Sequence, residues 1–266
     1  MDYIQKAIDR AREERKGNID SSAEGAVAAK PNAENNAVMP DAINYTRTRK
    51  IDLNLQWLKN QRIIVGLNND PRAEVYRQLR TQVLQKLRAN SWKTIAVTSP
   101  NESAGKSVTA INLAIAISKE VNQTVLLVDL DLRKPSIGQK LGVAIEQGLI
   151  DHLKFGVSIE SLLINPNLER LVILPGRDDP EYSSEILTTP QMKALMKDLT
   201  SRYESRIIIF DMPALLVNDD AMMFLPEADS VLLVVENGGT TQEELERSKQ
   251  LLEGKNLLGT VLNKVD

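Results

Sequence analysis

Six short runs rich in apolar and β-branched residues recur between residues 94 and 263: TIAVTS, TVLLVDLD, LVILP, RIIIFD, SVLLVVE and LLGTVLN. Their apolar stretches are continuous rather than alternating, the pattern of strands buried on both faces. Between several of them lie helical patterns such as SVTAINLAIAISKE and PQMKALMKDLTSRY. Strands alternating with helices predict an α/β fold, a doubly wound, mostly parallel sheet covered on both faces. In such sheets ligands bind beyond the carboxyl ends of the strands. The residues that close each run are therefore where chemistry is expected.

Three closing segments carry polar residues. TIAVTS runs into PNESAGKSVTA, where Gly105-Lys106-Ser107 matches the end of the phosphate-binding pattern Gly-x4-Gly-Lys-Ser/Thr, although Pro100 stands in place of the first glycine. A strand before the loop and an apolar helix after it give the motif its proper setting. The helix N-terminus offers free N–H groups and a partial positive charge to phosphate oxygens. Ser103, Ala104, Gly105, Lys106, Ser107 and Val108 form the predicted nucleotide loop. Lys106 is expected at the β and γ phosphates and the Ser107 hydroxyl at Mg²⁺. In TVLLVDLDLRKP, Asp129 and Asp131 are two apart and expected on one side of the strand. Two close carboxylates call for a cation, either a metal ion or Arg133 and Lys134 as structural counter-ions. RIIIFD ends on Asp211, which reads as a Walker B aspartate near Mg²⁺, although a lone strand-end aspartate is commonly structural. Asn263 closes the last run, as a base-reading amide or an ordinary turn residue. Glu74, Arg77 and Arg80 recur at i, i+3 and i+6 and share a helix face, on spacing alone a solvated one.

Composition removes other chemistries. The chain of 266 residues has no cysteine, which excludes disulfides, thiolate metal sites and cysteine nucleophiles. Its single histidine, His152, sits in GLIDHLKFG and reads as a solvated or capping residue. A formal charge of −3 lacks the basic footprint of a nucleic-acid-binding surface, so no nucleic-acid partner is expected. No apolar run approaches the ~18 residues that span a bilayer, and MDYIQKAIDRAREERKG lacks a signal peptide's apolar centre. A cytoplasmic location is expected. Residues 1–16 pattern as an amphipathic helix and residues 17–43 have the composition of a disordered linker, leaving 44–266 as the phosphate-loop α/β domain.

The segments EVYRQLRTQVL, TIAVTSPNESAGKSVTAINLA, TVLLVDLDLRKPSIGQKLG, RIIIFDMPALL and LLGTVLNKVD, in order over residues 70–266, resemble the cytoplasmic ATPase module of bacterial tyrosine kinases (BY-kinases). These are P-loop proteins of the deviant Walker A class that govern capsular and exopolysaccharide chain length and export. The resemblance implies ATP and Mg²⁺ as cofactors and Lys106, Asp129, Asp131 and Asp211 as catalytic residues. It implies Ser107, Asp129 and Asp211 around the metal, with Asp129 as base candidate beside the incoming hydroxyl. Asn263 falls where relatives contact adenine. Glu74, Arg77 and Arg80 match the Glu-x-x-Arg-x-x-Arg helix of ring-like self-association. The implied partner is a membrane chain-length determinant, a polysaccharide co-polymerase, that recruits the module to the inner face of the cell membrane.

The family generally lacks the first Walker A glycine, so Pro100 conforms. The departures are Glu102 and Ser103, where relatives have Pro-Gly. Ser103 gives up freedom for positive φ, and Glu102 brings a negative charge towards the phosphates. Pro213-Ala214 replaces the usual Pro-Pro. The family's tyrosine-rich tail has no counterpart up to Asp266, and Tyr3, Tyr45, Tyr76, Tyr182 and Tyr203 are scattered, with Tyr3 and Tyr45 read as the more accessible. Two alternatives accompany the kinase reading. One is a non-kinase ATPase switch that assembles on the membrane partner. The other is a partition-type positioning ATPase, disfavoured because Asn101 stands where that class carries lysine.

Overall fold

Along the central strands, successive side chains belong to different cores. Ile95, Val97, Val125, Leu127, Ile207 and Ile209 join one buried cluster, while Ala96, Leu126, Val128, Ile208 and Phe210 join another. Side chains of a strand alternate between faces, so a run that is apolar throughout needs cover on both. That cover is what the intervening helices supply.

The computed structural model describes residues 48–65, 70–178 and 183–265. The helix expected at 1–16, the linker at 17–43, Tyr3, Tyr45 and Tyr182 lie outside the described residues. The strands are β1 (Arg49–Lys50), β2 (Thr94–Thr98), β3 (Thr124–Asp129), β4 (Ile164–Asn165), β5 (Leu171–Leu174), β6 (Arg206–Asp211), β7 (Ser230–Glu236) and β8 (Leu257–Asn263). They form one sheet in the order β1-β4-β5-β3-β6-β2-β7-β8. All pairs are parallel except β4 with β5. The fold is the expected doubly wound α/β sheet, with a short reversed edge. Because β3, β6, β2, β7 and β8 run the same way, their carboxyl ends share one rim.

The helices are α1 (Leu55–Asn60), α2 (Ala73–Asn90), α3 (Lys106–Ser118), α4 (Ile137–Leu141), α5 (Leu149–Phe155), α6 (Ile159–Leu162), α7 (Ser183–Leu187), α8 (Pro190–Ser201), α9 (Asp220–Phe224) and α10 (Gln242–Leu251). Every residue of α3 except Val108 is buried, as expected of a helix that is apolar all round. It packs against β2, β3 and β6, with α2 outside it. Its one deeply buried amide, Asn112, is fully used. Its Oδ1 accepts from the backbone N–H groups of Ile64 (2.8 Å) and Val65 (3.2 Å). Its Nδ2 donates to the carbonyls of Arg62 (3.0 Å) and Val108 (2.9 Å). One side chain thereby fastens segment 62–65 to the phosphate-loop helix. On the opposite face Phe210 meets Phe224 edge to face, with centroids 4.9 Å apart, a favoured aromatic geometry.

Local signals agree with the elements. Thr189 caps α8 through Met192 N–H (3.2 Å), with Pro190 at the first helical position. Thr241 and Glu244 form a capping box on α10, at 3.2 and 2.8 Å. His152 donates from Nδ1 to the Val157 carbonyl (2.7 Å) just past α5, so it closes a helix end.

Candidate active site

The loop between β2 and α3 is shaped by two left-handed residues, Ser103 (φ +64°) and Gly105 (φ +94°). At Gly105 a Cβ would lie 2.1 Å from Asn263 Nδ2, so glycine is required by space as well as by conformation. Ser103 adopts a backbone that favours glycine, at a cost of about 1 kcal/mol. Asn263, expected at the base, donates from Nδ2 to the Ala104 carbonyl (2.8 Å), tying the end of β8 to the loop. Pro100 is buried and accepts from Leu216 N–H (3.1 Å). The position of the missing first glycine is thus filled by a residue that braces the loop on the segment after β6.

Lys106 opens α3 and is buried. Its Nζ lies 2.7 Å from Asp131 Oδ2 and 3.9 Å from Asp211 Oδ1. Burial alone would lower its pKa, but Asp211 and Asp131 outweigh this and push it up to about 12, so the ammonium stays charged. Asp211 is fully buried at the end of β6, and neither carboxylate oxygen has a hydrogen-bond partner. Burial pushes its pKa up, against the pull of Lys106 and the neighbouring Ser107 hydroxyl. With only the Lys106 ammonium at 3.9 Å and the Ser107 hydroxyl beside it, this buried carboxylate is under-satisfied and costly to the empty fold, which suits a side chain kept for a ligand. Mg²⁺ takes one or two protein oxygens and completes its shell with waters and phosphates. Asp211 and Ser107 supply such an oxygen-only donor set. No group of three His, Cys, Asp or Glu side chains suited to hold a metal unaided exists among the described residues.

Asp129 and Asp131, expected on one side of one strand, are divided by the end of β3 at Asp129. Asp129 pairs in register with Asp211 on β6 and is fully buried. Its Oδ2 accepts from the N–H groups of Ser136 (2.9 Å) and Ile137 (3.0 Å) at the start of α4, and Oδ1 from Asp131 N–H (3.3 Å). Burial first, then Asp211, raise its pKa to about 8. Asp131 lies past the strand, on the wall of the cleft. The counter-ion alternative for Arg133 and Lys134 is not realised. Arg133 makes a bidentate pair with buried Asp220 (2.9 and 3.1 Å), and Lys134 pairs with Glu102 (2.8 and 2.9 Å). The Glu102 charge is therefore answered by a cation from across the cleft, a pairing that the sequence spacing of 32 residues conceals.

These residues open on a cleft of about 1320 Å³ that runs along the rim from Asn263 to Lys140 and takes in Ser103, Gly105, Lys106 and Ser107. Helix α2 forms another wall. Arg77 reaches Glu74 (2.6 Å) on the exposed side. Arg80 turns inward to Glu120 (3.1 Å) and the Ala116 carbonyl (3.4 Å) at the end of α3. The triad thus splits between solvent and the phosphate-loop helix instead of forming one uniform face. Tyr76 is half-buried on the cleft wall, its phenol pKa raised by burial against hydrogen bonds from Thr109 and Asn112. Tyr203 is exposed at the opposite rim, with the Arg206 guanidinium 4.0 Å from its ring centroid.

Residues 95–266 match the family described as the CobQ/CobB/MinD/ParA nucleotide binding domain. The chain is 31% identical over 193 residues to the tyrosine-protein kinase YwqD of Bacillus subtilis, covering 72% of this chain and 80% of that one. It is 30% identical over 222 residues to the succinoglycan biosynthesis transport protein ExoP of Rhizobium meliloti, of which the match spans only 28%. Among solved structures, the chimerical protein CapA2B2 superposes with a TM-score of 0.71 at 28% identity, over 82% of this chain and 93% of that one. No helix among the described residues is long and apolar enough to cross a membrane. The chain belongs to the CobQ/CobB/MinD/ParA nucleotide-binding family, and within it to the group whose relatives are bacterial tyrosine-protein kinases.

Proposed function

We infer that this protein is an ATP- and Mg²⁺-dependent tyrosine kinase of exopolysaccharide or capsule biosynthesis. The observation that carries the reading is the buried Asp211 carboxylate, without a hydrogen-bond partner, beside Lys106 and Ser107 at the mouth of a phosphate-loop helix. The loop N–H groups and Lys106 bind and orient the triphosphate, with Lys106 exchanging Asp131 for phosphate oxygens. Ser107 and Asp211 would hold Mg²⁺, which would supply screening of the phosphate charge. In the transfer, the tyrosine oxygen bonds to the γ-phosphorus as the bond to the ADP oxygen breaks. The phenolic proton passes to the Asp129–Asp131 pair, of which Asp131 faces the cleft and Asp129 has the raised pKa. Asn263, at the β8 end of the cleft, is the candidate to face the base, and Glu74 and Arg77, on the exposed side of α2, are the candidates to meet a neighbouring subunit. A membrane chain-length protein would recruit the kinase to the inner face of the membrane; that the relative ExoP is a succinoglycan biosynthesis transport protein supports a role in polysaccharide biosynthesis.

The test is phosphotyrosine mapping by mass spectrometry after incubation with Mg²⁺ and ATP, with and without the chain-length protein. Phosphotyrosine that disappears in Lys106→Met is the expected result. ATP turnover without phosphotyrosine would replace the kinase with an ATPase switch. Absence of nucleotide binding would end both.

A further inference from the structure

Seven basic side chains line the cleft, and five of them have an acidic partner. Arg72 pairs with Asp70, Lys106 with Asp131, Arg133 with Asp220, Lys134 with Glu102 and Lys264 with Glu236. Arg62 and Lys140 have none among the described residues. They also belong together in the fold. Arg62 follows α1 and Lys140 lies in α4, and the two helices are joined by the Trp57 Nε1–H bond to the Gln139 carbonyl (3.1 Å). The Trp57 ring lies against Gly142, where a Cβ would come within 3.0 Å of it. Asn112 holds the Arg62 carbonyl from α3 (3.0 Å), so this wall is fixed on two sides. One turn before Lys140, Ser136 lines the same wall, and its hydroxyl is buried without a partner.

The position of this wall says which ligand it faces. From β8, where Asn263 meets the phosphate loop, the rim passes β7 and β2, then Asp211 on β6, then β3 and the segment leading to α4. A nucleotide with its base at the β8 end and its phosphates on the loop has its γ-phosphate towards Asp211 and Asp131. Lys140, in the helix that follows β3, lies past that point along the rim, and Arg62 belongs to the wall joined to that helix, the side left open to an acceptor. Unpaired cations beside a transfer site suit an anionic ligand, and the nucleotide's charge already has Lys106, the loop and the metal.

We propose that Arg62 and Lys140, with the Ser136 hydroxyl, form an acceptor subsite that selects tyrosines flanked by acidic residues. The proposal deepens the kinase reading and rests on it. Each charge-assisted contact of this kind sets affinity by about tenfold.

The experiment uses the full chain loaded with Mg²⁺ and a non-hydrolysable ATP analogue. Binding of a random Glu-Tyr copolymer and of a neutral tyrosine peptide is measured by fluorescence anisotropy, and phosphorylation of both is then followed with ATP. The variants are Arg62→Gln, Lys140→Gln and the double change, with Arg62→Lys and Lys140→Arg as charge-keeping controls. Thermal unfolding and nucleotide affinity are measured on each variant. The expected result is copolymer affinity down about tenfold per variant, neutral-peptide affinity within about twofold, and recovery in the controls. Equal losses for both acceptors, a parallel fall in nucleotide affinity, or a wild type that binds the copolymer no better than the neutral peptide overturns the subsite. Copolymer bound through these residues but never phosphorylated keeps the acidic-peptide subsite and removes the kinase reading.

Discussion

Asp211 illustrates how a single residue can serve a ligand at the expense of the empty fold. Its two oxygens are buried without hydrogen-bond partners, and its pKa is raised because the charge has lost water. Asp211→Asn removes the charge and keeps the shape. We expect the nucleotide-free variant to gain about 1–3 kcal/mol in urea unfolding while Mg²⁺-dependent ATP turnover falls to background. A variant that is less stable and still active would contradict this account of the site. Much at this scale was legible in the sequence. Gly105-Lys106-Ser107 and the strand-end aspartates were found because each sits where a periodic run stops. Other features were not legible. Glu102 brings a charge to the loop whose partner, Lys134, lies 32 residues away, and no local pattern encodes such a pairing. Asn263 resembles a base reader by position, but its amide N–H binds the Ala104 carbonyl, which depends on how closely the last strand approaches the loop.

At the scale of elements, periodicity identified every central strand and the helix of the phosphate loop, since apolar runs report burial directly. It said little about the wall built from residues 62–65. That segment is irregular, and its place is fixed by one buried amide on another element. In Asn112→Ala, the N–H groups of Ile64 and Val65 and the Arg62 carbonyl lose their partners together. The expected loss is about 2–4 kcal/mol, read as a lower urea midpoint. Protection from hydrogen exchange should fall first at residues 62–65. Unchanged protection there would mean that apolar contacts of Ile63, Ile64 and Val65 suffice to hold the segment. The splitting of Arg77 from Arg80 has the same origin. Helical spacing put them on one broad face, but Arg80 has the end of α3 within reach and Arg77 does not.

For the molecule as a whole, the clustering of buried carboxylates makes stability depend on pH in an unusual direction. Asp129 has its pKa raised from 3.8 to about 8, and Asp211 is raised as well. Between these limits the folded state holds a proton that the unfolded chain has released, so stability falls as pH rises from about 4 to about 8. Carboxylates held low, Glu160 by the Ser158 hydroxyl and then Arg202, and Asp151 against its burial by Arg177, lose their contribution only in more acid solution. The nucleotide-free protein should therefore unfold at lower urea at pH 8 than at pH 5.5, and Asp129→Asn should flatten that difference. The tie from Asn263 to Ala104 reaches further than the geometry of one loop. Among the described strands β8 is translated after all the others, and it brings the Asn263 amide that holds the Ala104 carbonyl. A growing chain that has made β2 to β7 still lacks this tie, and its phosphate loop acquires it only once β8 has followed.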